Sequence, residues 1–297
     1  MASLREIKDR IGSVRSTLKI TSAMKLVASA KLRKAQRAIE GMRPYENALT
    51  DILVAARSAD ADVAPLKQPR SAMDSRHCGL DPESSGGGIT AVVAISSNSS
   101  LCGAFNANVI RKALETIRGC EGAVEVYPVG RKMVEALRRA GYTADADYND
   151  LIGHPSYEKS AALARRLSER YEAGELGRVV LVYNRFVSTS TQEPTAEEYL
   201  PFEYGGVSAE TPADAGDYLL EPDAAAMVAQ LLPQVMILKF HAAILDSAAA
   251  EQAARTLAMQ TASDNAEDLL GELTLEYNKG RQQKITAEIL DLLGGAQ

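Results

Sequence analysis

At 297 residues, 46% of them apolar and with a formal charge of −6, the chain has ample material for a buried core, which excludes the core-poor disordered class. No apolar run reaches the roughly 20 residues a membrane span needs, and the N-terminus lacks the apolar block of a secretory signal. Cys78, Cys102 and Cys120 form no CxxC pair and His77, His154 and His241 are dispersed, so no metal site is expected and a reduced, cytoplasmic setting is.

The first predicted element is a long helix from about Leu4 to Met42, stopped at Pro44. Ser3 with Glu6 three residues on is a capping-box pattern at its start. Leu4, Ile7, Ile11, Val14, Leu18, Thr21, Lys25, Ala28, Leu32, Ala35 and Ile39 fall three and four apart, the spacing of a coiled-coil seam. Thr21 and Lys25 interrupt it; such positions fix register, face a different partner, or rotate onto a solvated face. Residues 1–40 hold ten Lys or Arg against three Asp or Glu. No aromatic residue interleaves them, so an acidic protein surface is the expected partner and nucleic acid is not.

Residues 60–88, broken by Pro65, Pro69, Pro82 and Gly86–Gly88, read as a loop. Then the period changes. Ile89–Ser96 is a continuous apolar run of the kind found in a buried parallel strand. A helix over Asn108–Ile117, a strand over Ala123–Val129, a helix over Arg131–Ala140 stopped by Gly141, a helix over Tyr157–Glu172 and a strand over Val179–Phe186 follow. Glu197–Tyr204 is a candidate edge strand. Strands alternating with helices predict a small α/β layer with a largely parallel sheet. The turn Ser96–Gly103 stands between a strand and a helix, where phosphates bind in other folds. It carries neither GxGxxG nor GxxxxGK[ST], and a turn with Ser and Asn caps is the preferred reading. Cys102 reads as a small buried side chain. No acid–base pair is evident.

The last element runs from Gln234 almost to Gln297 without a proline. Its expected seam is alanine-rich: Ile244, Ala248, Ala258, Ala262, Ala266, Leu269, Leu273 and Tyr277. Small seam residues let two helices approach closely. At 1.5 Å per residue the two end helices could reach roughly 60 and 90 Å. They are expected to lie against each other or against other proteins.

These segments together resemble the gamma subunit of F-type ATP synthases. The resemblance is carried by Ile7–Gln36 with its KIT-x-AMK core, Arg43–Tyr45, Leu101–Asn106 (LCGAFN), Tyr218–Asp223, Glu251–Asn265, and Leu273–Ala296 containing YNKGRQQKIT. It covers essentially the whole chain. Asn98–Ser100 stand where the family commonly has Asp-Arg-Gly, residues 71–88 stand as an insertion, and the paired-cysteine loop of chloroplast members is not evident.

The resemblance implies a long antiparallel coiled coil of N- and C-terminal helices plus a small Rossmann-like α/β domain. The segments are 1–59 (first helix), 60–88 (loop), 89–205 (α/β foot), 206–233 (linker and start of the return helix) and 234–297 (second helix). It further implies a rotor turning inside a ring of alpha and beta subunits, without catalysis or a cofactor of its own. Its foot would bind the epsilon subunit and the c-ring of Fo, on the cytoplasmic side of a bacterial inner membrane. Met24 and Lys25, and on the return helix Arg281, Gln282, Thr286 and Glu288, are the implied rotor–stator contacts. An α/β enzyme and a basic nucleic-acid binder are the competing readings; both leave the C-terminal motif unexplained.

Overall fold

The computed structural model describes residues 3–59, 88–143, 148–202, 221 and 223–294. Cys78, His77 and nearly all of the 71–88 insertion lie outside them, as do most of Tyr218–Asp223 and the end of the candidate edge strand at Tyr204. The elements are α1 (Leu4–Ala59), β1 (Ile89–Ile95), α2 (Phe105–Gly119), β2 (Val124–Val129), α3 (Arg131–Arg139), α4 (Asn149–Gly153), α5 (Tyr157–Glu172), β3 (Leu176–Phe186), β4 (Gln192–Leu200) and α6 (Ala224–Gly294). They divide into two units, one of residues 31–254 and one of residues 1–30 with 255–297.

The first unit is built on a four-stranded mixed sheet in the order β2-β1-β3-β4. β1 pairs in parallel with β2 and β3, and β4 runs antiparallel along β3. β1 is apolar apart from Thr90 because both its faces are covered. Ala91, Val93 and Ile95 join one core with α5, α1 and α6, whereas Val92 and Ala94 join another with α2 and α3. The expected α/β layer is therefore present, with helices on both faces. The edge strand starts five residues earlier than expected, at Gln192. Pro194 sits in it because an edge strand has one side free of ladder bonds.

Pro44 does not stop the first helix, which continues to Ala59. An internal proline removes one backbone bond and costs about 3 kcal/mol. Burial of Leu49, Leu53, Ala55 and Ala56 just beyond it supplies the compensation, while Pro44 itself is exposed. The return helix likewise starts ahead of Gln234, at Ala224, and contains Pro233. Asp223 caps it by accepting from the Ala226 N–H at 2.7 Å. This helix is long and apolar enough to cross a membrane by length and composition, but 61% of its apolar window is buried within the chain. It is a core helix here.

The second unit is an antiparallel helix pair. Lys25 Nζ donates to Gln260 Oε1 at 2.8 Å, Ser263 Oγ donates to Thr21 Oγ1 at 2.8 Å, and a Cβ on Gly280 would lie 3.1 Å from Leu4. As numbers fall along the first arm they climb along the second. The predicted capping box is made: Ser3 N donates to Glu6 Oε2 at 2.9 Å and Glu6 N to Ser3 Oγ at 3.3 Å. From Ser263 to Gly280 on the return arm the buried or half-buried positions are Ser263, Ala266, Leu270, Leu273, Tyr277 and Gly280, a clean alternation of three and four. The expected seam was out of phase in part: Leu269 is 44% exposed, and Ala258 and Ala262 only flank the stripe. Gly280 is a site of close helix approach. Gly271 faces open space, and nothing in the structure explains it.

Thr21 and Ser263 form a buried hydroxyl pair inside an otherwise apolar seam. Thr21→Val should leave the Ser263 hydroxyl without that acceptor and cost about 1–3 kcal/mol. Urea unfolding of the full chain would measure this, and pairing it with Ser263→Ala should recover part of the loss.

Candidate functional site

The turn after β1, the one place where the sequence invited a phosphate, spends its polar groups on the protein. Ser96 Oγ accepts from the Met133 N–H at 2.8 Å, the Ser97 carbonyl from the Lys132 N–H at 3.2 Å, and Asn98 Oδ1 from the Arg131 N–H at 3.0 Å. Those three donors are the start of α3, where an anion would otherwise dock. Asn98 Nδ2 reaches the Asn149 carbonyl at 2.7 Å. Asn106 Oδ1 accepts from the Ser97 N–H at 3.1 Å, and its amide lies 3.1 Å from Cys102 Sγ. The turn is a clasp holding β1, α2, α3 and α4 together. Cys102 is buried within it, as expected.

Sequence reading missed a Ser–His contact. His241 Nδ1 on α6 lies 2.9 Å from Ser160 Oγ on α5, with Tyr157 edge-on at 5.7 Å between ring centres. Ser160 Oγ also reaches the Ser156 carbonyl at 2.9 Å. Burial pushes the imidazole below its ordinary value, so the ring is neutral at neutral pH. Both side chains are buried, and among the described residues no carboxylate is hydrogen-bonded to the ring. The pair ties α5 to α6 and lacks the access and orientation a nucleophile needs. Positions 81 residues apart gave no sequence signal for it.

The implied contact residues fall into two groups at separate levels of the helix pair. Met24 is half-buried and Lys25 is turned to Gln260, whose own amide donates to Asp264 Oδ1 at 2.6 Å. Lys25 thus interrupts the seam with a partner inside the coil. Just off that seam, Ile20, Leu26 and Val27 are 60%, 68% and 57% exposed, three large apolar side chains the seam analysis did not single out. Their signal was present: they are apolar residues that no seam phase accommodates.

Arg281, Gln282, Thr286 and Glu288 are all exposed, one step past the level where Gly280 meets Leu4. From Gln260 to Arg281 is 21 residues, or about 32 Å of helix, so the structure does not bring the two groups into one site. Gln282 and Thr286 do share a face, the Thr286 hydroxyl donating to the Gln282 carbonyl at 2.9 Å. Glu288 pairs loosely with Lys284 at 3.8 Å on the exposed surface. Ile285, Ile289 and Leu290 add exposed apolar area at the same level. No group of three or more metal-ligating side chains occurs among the described residues.

Comparison with known proteins places this geometry in a family. A family model described as ATP synthase matches residues 3–297. An ATP synthase gamma chain of Bacteroides fragilis is 47% identical over 303 residues, spanning 100% of this chain and 99% of the relative. One from Flavobacterium johnsoniae is 39% identical over 299 residues with the same coverage. Among solved structures, a chain of the Euglena gracilis mitochondrial ATP synthase rotor superposes with a TM-score of 0.60 at 20% identity, covering 95% of this chain and 98% of that one. A chain of the same organism's OSCP/F1/c-ring assembly gives 0.63 at 19% identity, covering 98% and 93%.

Proposed function

The chain belongs to the gamma-chain family of ATP synthase, the rotor of the central stalk, and from that membership we propose how its surfaces divide the work. The helix pair is an axle without chemistry of its own. It turns inside a ring of alpha and beta subunits, and the beta subunits bind and turn over nucleotide. Because its faces differ, each orientation touches the three catalytic subunits differently and biases which is open or closed. Ion flow through the membrane sector drives rotation for synthesis, and hydrolysis reverses it. The sheet unit is the foot, meeting the epsilon subunit and the c-ring. The protein sits peripherally on the cytoplasmic side of the inner membrane.

The observation that carries this reading is the two-level pattern of exposed side chains on a coil whose seam is otherwise satisfied. Met24, with exposed Ile20, Leu26 and Val27 around it, forms the lower contact. Arg281, Gln282, Thr286 and Glu288 form the upper one, where Arg281 can fork onto a carboxylate. Lys25 supports the lower contact from within the coil. Exposed pairs worth about 0–1 kcal/mol suit a bearing. Buried pairs, costing about 3–5 kcal/mol to break, would stall it.

Met24→Lys adds a second cation beside Lys25 and should lower proton pumping per ATP hydrolysed in reconstituted vesicles. Arg281→Ala should weaken assembly more than removing the residues after Leu290. Unchanged pumping with Met24→Lys, together with normal assembly of Arg281→Ala, would refute the two-level reading. The competing enzyme reading predicts nucleotide binding by the isolated chain, which calorimetry would detect.

A further inference from the structure

On one side of the sheet, α2 and α3 carry an unbalanced charge. They hold seven Lys or Arg against two Asp or Glu, in a chain whose formal charge is −6. Both helices turn their apolar sides to the sheet, through Val109, Ala113 and Ile117 on α2 and Met133 and Leu137 on α3. Their opposite sides therefore face solvent together. Arg111 and Arg118 share one face of α2, and Arg131 and Arg138 one face of α3, each pair two turns or about 10 Å apart. All four are exposed, as is Arg139.

Little on the protein neutralises this face. Lys132 Nζ lies 2.9 Å from Glu135 Oε2, and Arg131 Nε lies 3.9 Å from Oε1 of the same residue. Arg111 donates to Asn108 Oδ1 at 3.3 Å. Among the described residues, Arg111, Arg118, Arg138 and Arg139 have no carboxylate at ion-pair distance. The helix pair differs. Residues 1–30 carry six Lys or Arg against two Asp or Glu, but 255–297 carry four against seven, so that unit is close to neutral. No large apolar side chain is exposed on α2 or α3, so the face lacks the buried anchor on which a protein partner's docking usually depends.

We propose that the α2–α3 face is a binding surface for anionic lipid headgroups, its arginines taking the phosphates. A guanidinium forks onto phosphate oxygens. Basic side chains near an anionic bilayer add their attractions, which fall away within a Debye length. The choice of lipid over an acidic protein rests on the rotor reading above. A turning foot would meet a fixed acidic patch once per revolution, whereas a fluid bilayer is the same in every direction and can hold the contact throughout. A contact made of exposed charges also slides, because no single pair is strong.

Sedimentation of the full-length chain with vesicles tests this. Vesicles of phosphatidylcholine with about one-third phosphatidylglycerol should carry it down, pure phosphatidylcholine should not, and about 1 M salt should release it. The quadruple variant Arg111→Gln, Arg118→Gln, Arg131→Gln, Arg138→Gln should bind roughly tenfold or more weakly. A counterpart on the first arm, Lys8→Gln, Arg10→Gln, Arg15→Gln, Lys19→Gln, removes as many exposed charges and should bind within about twofold of wild type. A wild type that does not bind overturns the proposal. So does an equal loss in the two variants, or tighter binding to soluble poly-glutamate than to vesicles of equal charge. Should the first variant fail to fold, the double variant Arg118→Gln, Arg138→Gln decides in its place, a several-fold loss supporting the proposal and no loss overturning it. The rotor reading stands or falls separately, on the pumping and assembly of Met24→Lys and Arg281→Ala.

Discussion

Gly130→Ala should unfold much of the sheet unit or bring it close to doing so, although the change adds a single methyl group. Gly130 joins β2 to α3 with φ +98, and a Cβ there would lie 2.3 Å from the Ser96 carbonyl oxygen and 2.8 Å from its carbon. Neither neighbour can yield. The Ser96 N–H is bonded to the Val129 carbonyl at 2.8 Å, and the Ser96 hydroxyl caps α3 through Met133. The left-handed backbone and the overpacking each cost about 1–3 kcal/mol, a large share of the stability of a typical domain. Gly122 provides the control. It has φ +91 with nothing within 4 Å, so Gly122→Ala should incur only the backbone cost. A denaturation series on the full chain should separate the two clearly. Equal midpoints would mean that the close approach at Ser96 is not what demands glycine.

A chain shortened to end at Gly280 should fold almost as well as the full one and yet fail as a rotor. Residues 281–291 are exposed along their whole length, past the level where Gly280 meets Leu4. Removing a segment whose side chains are exposed along residues 281–291 takes little from the buried core, so the stability of the rest should change little. It also removes Arg281, Gln282, Thr286, Glu288 and the apolar Ile285, Ile289 and Leu290, the whole proposed upper contact. ATP-driven proton pumping by the reconstituted complex should fall at least tenfold, with the thermal midpoint of the free chain nearly unchanged. Full pumping would relocate the work to the lower level. A large loss of stability would instead show that the tip belongs to the fold.

Several elements were legible because one local signal sufficed. β1 is apolar at every position but Thr90, which burial on both faces explains, and α5 has an uninterrupted helical pattern ended by Gly174. Pro44 misled because its local cost is offset by Leu49 and Leu53 farther along, a tertiary term invisible in a short window. The phase of the return arm was ambiguous for another reason: alanine at 258, 262 and 266 fits neighbouring seams almost equally, and only contact with Thr21 and Leu4 selects among them. The partner of Lys25 was unreadable too, since naming Gln260 requires the antiparallel register. Of the proposed contacts, Met24, Lys25, Arg281, Gln282, Thr286 and Glu288 came from the family motif, whereas the exposed Ile20, Leu26 and Val27 and the separation into two levels are visible only in the folded structure.

The return helix outlasts its companion by a few turns. A paired rod resists bending much more than a lone one, because stiffness climbs steeply with thickness. From Arg281 to Asp291 the helix is exposed and, among the described residues, has no companion helix to brace it, so sideways load there is taken up as flexure rather than passed on undiminished. The exposed end is therefore the compliant member of an otherwise stiff spindle, able to follow an uneven bearing without forcing the seam apart.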